Sequence, residues 1–479
     1  MPGVLTSYGT GEGQGRAMIN MLPDDVLLDV FDCYRKGHKY SLNFIWKWYS
    51  LAHVCQRWRQ IIFTSPHRLN LRILCTYGTL VRKNLCIWPT LPIAIDYGDS
   101  KGIAPNDEDN VLAALQYPHR VCFISLYVTH SQFRQMASVM EEPFPMLSRL
   151  TIIASYTDGL PVLPAKFLGG SAPCLQSIYL RGVPFSSLPP LLVSASNLVS
   201  LTVELLSYTG YVTPDVLVAG LATLLRLESF IIKFQSATRR PASALPPATR
   251  TVLPSLNYFH FKGTCTYLED LIARIDSPPL NHIYIDYLNH HVDVRAEQLF
   301  QFIDRSVRPG TLRNHARVTF FTDHVSFHIY RHGNNSSWKS FPASILCDRN
   351  WRASEIVEVL NQFAATRPDM VHLKLVTRYN HSRDTSDAEW LHLLHQTSAV
   401  QTLHLSRENA ERVAHILEDI TAEEMVAAVL PSLELISLQD QPLSSIEKFA
   451  AVRRLGGRPI TVINSEAEFD ERIKAYFSN

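Results

Sequence analysis

Ten times between residues 123 and 438 the chain returns to one hexamer, L-x-x-Φ-x-Φ, where Φ is a bulky apolar residue. It reads FISLYV from Phe123, LSRLTI from Leu147, LQSIYL from Leu175, LVSLTV from Leu198 and LESFII from Leu227. It continues as LNYFHF from Leu256, LNHIYI from Leu280, MVHLKL from Met370, VQTLHL from Val400 and LELISL from Leu433. Successive starts up to residue 280 lie 24, 28, 23, 29, 29 and 24 residues apart, and the last three are 30 and 33 apart. Alternation with period two places both Φ residues on one side of a strand. One such unit cannot bury that side alone, whereas stacked units can.

The expected fold class is therefore α/β: a small all-α N-terminal module followed by an irregular solenoid of the leucine-rich-repeat type. Its strands would form a parallel sheet on the concave face, with the leading Leu closing each turn. Connectors at 215–227, 267–276, 297–307, 354–366, 388–397 and 410–420 carry helical apolar spacing. Their lengths vary, and the asparagine of the regular leucine-rich motif is missing. The rhythm fails in an insertion at about 287–369. There ARVTFFTDHVSFHIYRHG reads as two consecutive strands, 317–322 and 325–331, and 333–337 as a turn. Residues 236–254 are proline-rich and polar, a projecting loop.

In each unit the side chain between the two Φ residues should face outward. These positions are Thr151, Tyr179, Thr202, Ile231, His260, Tyr284, Lys374, His404 and Ser437. Flat amphipathic rings give contact area at low entropic cost. Tyr179, His260, Tyr284, Lys374 and His404 are thus the candidate substrate-binding residues. The plainer reading is ordinary exposed strand residues, with capture by loops or the C-terminus.

Ahead of the repeats stand two apolar helical patterns. In LPDDVLLDVF, Leu22, Val26 and Val30 form one row, and Leu27 and Phe31 a second beside it. Pro23 suits a first helical turn, and Asp24 and Asp25 the positive end of a helix dipole. In YSLAHVCQRWRQIIF, Leu51, Val54, Cys55, Trp58, Ile61 and Ile62 recur at helical spacing, which predicts one helix over 49–63 with Gln56, Arg57, Arg59 and Gln60 on its wet side. Two short helices with stripes this wide cannot bury both sides against each other.

These residues resemble the F-box: LP-x-x-V-L-x-x-V-F followed by L-x-x-V-C-x-x-W-R, over residues 19–65. The layout is also similar to the large F-box group of mushroom-forming fungi. The resemblance implies docking on the Skp-type adaptor of a cullin–RING (SCF-type) ubiquitin ligase, the remaining chain capturing a protein substrate. It implies adaptor-binding roles for Leu22, Pro23, Val26, Leu27, Val30, Phe31, Leu51, Val54, Cys55 and Trp58. The link between Phe31 and Leu51, with Trp46 and Trp48, is longer than in a usual F-box. The alternative is a leucine-rich-repeat-like interaction scaffold whose N-terminal helices dock internally, outside any ligase.

Composition closes other routes. A net charge of +1 provides no field for nucleic acid or an acidic membrane. Residues 1–18 are glycine-rich without a signal-peptide pattern, so a flexible tail is expected. No uncharged run reaches the ~18 residues of a membrane span. The eight cysteines show no paired spacing, as expected of reduced thiols in a cytoplasmic or nuclear protein. Gly-rich phosphate loops, HExxH, G-x-S-x-G and CxxC are absent, so neither enzyme activity nor a cofactor is expected. His392 and His395 could share a helix face, but no third metal ligand accompanies them. Asn289–His291 reads as a polar loop, and Cys55, on a buried stripe, as an inert thiol.

Overall fold

The computed structural model describes residues 21–36, 47–65, 68–69, 71–99, 102–155, 163–164, 166–183, 189–206, 212–235, 250–288, 297–305, 312–320, 325–331, 339–341, 343–347, 371–377, 386–420 and 423–478. The molecule is an α/β protein in which nine strands alternating with helices make a long all-parallel sheet. The chain divides into two compact units, Met1–Leu126 and Tyr127–Asn479.

The first unit carries three helices near its start: α1 (Asp24–Lys36), α2 (Lys47–Ala52) and α3 (Gln56–Thr64). Strands β1 (Ile73–Cys75) and β2 (Ile93–Tyr97) follow, then β3 (Val121–Val128), which runs across the division. These strands pair in parallel, Ile73 beside Ile93 and Ile93 beside Val121.

In the second unit β4 (Arg149–Ala154), β5 (Ser177–Arg181), β6 (Ser200–Leu206) and β7 (Ser229–Phe234) continue the series. A two-residue pair, β8 (Thr251–Val252) with β10 (Ile275–Asp276), flanks β9 (Tyr258–Gly263). The expected loop 236–254 therefore ends in a short strand; residues 236–249 lie outside those described. Next comes β11 (His282–Tyr287). The insertion does contain the two expected consecutive strands, β12 (Leu312–Phe320) antiparallel to β13 (Val325–Arg331). It adds β14 (Lys339–Phe341) on β13 and sends β15 (Ala343–Cys347) parallel to β11. A second sheet has the order β14-β13-β12-β16-β17-β18-β19, with β16 (His372–Thr377), β17 (Thr402–Leu405), β18 (Leu435–Leu438) and β19 (Thr461–Ile463) parallel to their neighbours.

The Φ pair of every hexamer lies on a strand, and hydrogen bonding explains the leading residue. The backbone N–H of Leu147, Leu175, Leu198, Leu227, Leu256, Val400 and Leu433 donates to the carbonyl three residues earlier, closing a turn immediately before each strand. Those side chains are fully buried, as are Leu150 and Ile152, Ile178 and Leu180, Phe259 and Phe261, and Leu403 and Leu405 on the strands that follow. Each such apolar side chain contributes on the order of 2 kcal/mol by leaving water. Phe123 departs from the pattern, being half-buried. Connecting helices form as expected at Pro214–Leu221, Cys265–Ala273, Glu297–Arg305, Asp387–Gln396 and Arg407–Asp419; 354–366 lies outside the described residues.

Candidate functional sites

The helical head is held from inside by Leu27, Leu28, Phe31, Ala52, Ile61 and Ile62, all buried. The Phe31 and Trp58 rings meet at 4.7 Å, tilted by 60°. Arg57, on the wet side as its spacing predicts, also links α3 to the entry of α1 through a surface ion pair. Its Nη2 donates to Asp24 Oδ1 at 2.6 Å and to the Leu22 carbonyl at 2.6 Å, and its Nε to Asp24 Oδ1 at 3.2 Å. Pro23 sits just ahead of the helix, its carbonyl accepting from Leu27 N–H.

The expected single helix 49–63 is broken. His53 and Val54 close a turn onto Ser50 and Leu51, and Cys55 is extended (φ −156°, ψ 170°). Cys55 Sγ accepts the Trp58 N–H at 3.4 Å, so the thiol caps α3 and is not part of a continuous stripe. The break leaves Val54 59% exposed, and on α1 Val26 and Val30 remain 41% and 47% exposed. Pro23 is exposed and Leu22 and Leu51 are half-buried. The implied adaptor residues thus separate into anchors (Leu27, Phe31), half-buried positions (Leu22, Leu51, Cys55, Trp58) and exposed ones (Pro23, Val26, Val30, Val54).

The outward positions on the sheet also separate. Parallel pairing aligns Thr151, Tyr179, Thr202, Ile231, His260 and Tyr284 as one lateral row across β4–β11. Tyr179, His260 and Tyr284 are half-buried, whereas Thr202 is buried. Around them lie aromatic neighbours that the hexamer positions alone do not include. Tyr258 is 5.6 Å from Tyr284 and 6.0 Å from His282, and His260 is 5.6 Å from Tyr284.

The next row adds charge. His260 Nε2 and Asp286 Oδ2 lie 3.1 Å apart. Glu204 accepts from Tyr179 Oη at 3.0 Å and pairs with Lys233 Nζ at 3.0 Å. The register of β6 with β7 shifts just beyond, between Val203 and Leu206, with Leu205 at φ 58°. Burial works to raise the Glu204 carboxyl, but Lys233's hydrogen bond and charge outweigh it and hold the group below the usual carboxylate range. Burial raises the Tyr179 and Tyr258 phenols, helped by Glu204 and by Tyr284 and Asp286 respectively. Sequence reasoning missed Tyr258, Glu204, Lys233 and Asp286. They lie two residues from the chosen positions on the same strand faces, so extending the alternation finds them.

Lys374 and His404 are not on an open face, and this corrects the expectation for them. Lys374, His404 and Ser437 do form a lateral row, but Lys374 is 4% exposed and His404 is 0% exposed. The chain's own C-terminal helix, Glu466–Ser478, covers them. Lys374 Nζ pairs with Glu466 Oε1 at 2.8 Å and Asp470 Oδ1 at 2.9 Å. The Phe469 ring lies 5.2 Å from the His404 ring and packs with Leu435 and Ile463. His404 Nδ1 lies 2.9 Å from Ser437 Oγ, whereas its buried Nε2 has no hydrogen-bond partner among the described residues. Burial first, then Lys374, lowers the imidazole to about 4, so it is neutral at pH 7.

No group of three or more His, Cys, Asp or Glu among the described residues could hold a metal ion, and His392 and His395 gain no third ligand there. Asn289–His291 lies outside the described residues. No described helix is long and apolar enough to cross a membrane. No protein-family model matches this chain, and no curated protein matches it either.

Proposed function

We propose that this chain is a non-catalytic substrate-recognition subunit of an SCF-type ubiquitin ligase. Its F-box-like head docks on the Skp-type adaptor, and its repeat body, a degenerate leucine-rich-repeat-type solenoid, captures a protein substrate. The observation that carries the reading is the division of labour within α1. Leu27 and Phe31 anchor the helix, while Val26 and Val30, one residue earlier in each case, remain exposed. With Pro23 and Val54 they supply apolar surface of the kind that a partner buries in the centre of an interface. The open Tyr179–His260–Tyr284 row supports a capture role for the sheet, because aromatic side chains with nearby polar groups are enriched at interfaces.

The test is co-purification of a recombinant Skp-type adaptor with the full chain and with the double variant Val26→Glu, Val30→Glu. Both side chains are exposed, so the variant should keep its circular dichroism spectrum and melting behaviour while losing the adaptor at least 100-fold. Equal recovery of the adaptor by a folded variant rejects the docking assignment.

A further inference from the structure

The face that carries Lys374, His404 and Ser437 is built unlike a core. Opposite faces of the same strands present Leu373, Leu375, Leu403, Leu405, Ile436 and Leu438, all apolar and buried. This one presents an ammonium, an imidazole and a hydroxyl, together with Leu435 and Ile463 as an apolar pad. Polar side chains in a row, covered late in the chain by one helix, are the arrangement of a binding surface whose ligand is attached.

The C-terminal helix meets that surface as a ligand does. It follows β19 after two residues and touches the row through Glu466, Phe469 and Asp470, one stripe at i, i+3 and i+4. The two carboxylates straddle Lys374 Nζ, and Phe469 fills the pad beside His404. On its other side, Glu468 and Arg472 pair with each other at 2.8 Å. Two features suit a cover that can be lifted. Glu466 and Asp470 are only half-buried, so water can replace their ion pairs as the helix lifts. His404 Nε2 is sealed without a hydrogen-bond partner among the described residues, so the covered state leaves one polar atom unsatisfied that release would hydrate.

We propose that the helix Glu466–Ser478 is a displaceable internal ligand. The partner it stands in for is an amphipathic helix with two carboxylates four residues apart and an aromatic residue immediately before the second. This rests on the reading of the sheet as capture surface and is independent of adaptor docking by the head. Displacement would make the Lys374 row available to a second protein and return Phe469 to solvent.

The test uses the full chain and the double variant Glu466→Gln, Asp470→Asn, with a fluorescent peptide of residues 465–479 as probe. Hydrogen exchange should show the helix amides exchanging at least tenfold faster in the variant, with β17 and β18 unchanged. Anisotropy should show the peptide binding the variant at least tenfold more tightly than the parent chain, and adding Lys374→Met should abolish that binding. Helix amides that exchange in step with β17 and β18 in both proteins overturn the proposal, as does a released helix whose face still refuses the peptide. Adaptor co-purification, read on the same proteins, is expected to be unchanged. Failure of the peptide alone would therefore refute the internal ligand and leave head docking standing.

Discussion

The same lateral row of the repeat is treated in two opposite ways within the second unit. Across β4–β11 it is open and aromatic, with Tyr179, His260 and Tyr284 half-buried and their charged neighbours paired side to side. Across β16–β18 it is Lys374, His404 and Ser437, roofed by a helix that supplies both the counter-charges and the aromatic ring. Equivalent positions in a repeat therefore do not share an environment. What the repeat specifies is the inward pair of apolar residues and the turn before them, and the outward side is decided by what arrives from elsewhere in the chain.

The largest effect should come from removing the roof. Phe469→Ala takes a fully buried ring from between His404, Leu435 and Ile463, and should cost about 4 kcal/mol in urea unfolding. The equivalent change on the open row, Tyr284→Ala, removes a half-buried ring that packs on Tyr258 and His260, and about 1 kcal/mol is expected. Equal losses would erase the distinction between the two faces.

Acid should also separate them. His404 is held near 4 in the folded state against 6.5 for a free imidazole. Between those values the unfolded chain binds more protons than the folded one. Stability is thus complete above pH 6.5 and falls as the pH drops toward 4, by up to about 3 kcal/mol. The charged groups around the imidazole are Lys374, Glu466, Asp470 and Arg317. Denaturant midpoints taken between pH 7 and 4 should slope accordingly in the parent chain and flatten in His404→Gln. A slope unaltered by that substitution would place the acid sensitivity elsewhere. The smallest effect belongs to the open face: Glu204→Gln loosens a half-buried ion pair and a phenol hydrogen bond, about 1 kcal/mol or less.

The strands were legible in the sequence because alternation and the leading Leu are local signals, and both reappear as a buried pair and an i→i−3 closure. The hairpin of β12 and β13 was legible for the same reason. The break before α3 was not. Cys55 fits the helical spacing as well as the surrounding residues do, and its capping of Trp58 N–H depends on a backbone angle that periodicity does not encode. Nor were the partners of Arg57, which lie 33 and 35 residues earlier at Asp24 and Leu22. The cover over Lys374 and His404 was hidden for the strongest form of that reason: it comes from residues 466–470, far along the chain and outside the repeat. Of the head, the anchors and the exposed valines both came from one apolar pattern, and only packing tells them apart.

The proposal for the head is that another molecule buries its exposed valines. Hydrogen exchange on the full chain, with and without a purified Skp-type adaptor, tests it most directly. A stable complex is expected in which new protection is concentrated in α1 and in the turn at residues 53–55, with the amides of β4–β11 unchanged. Failure to form a complex, or protection that falls on the strands and spares α1, would contradict it.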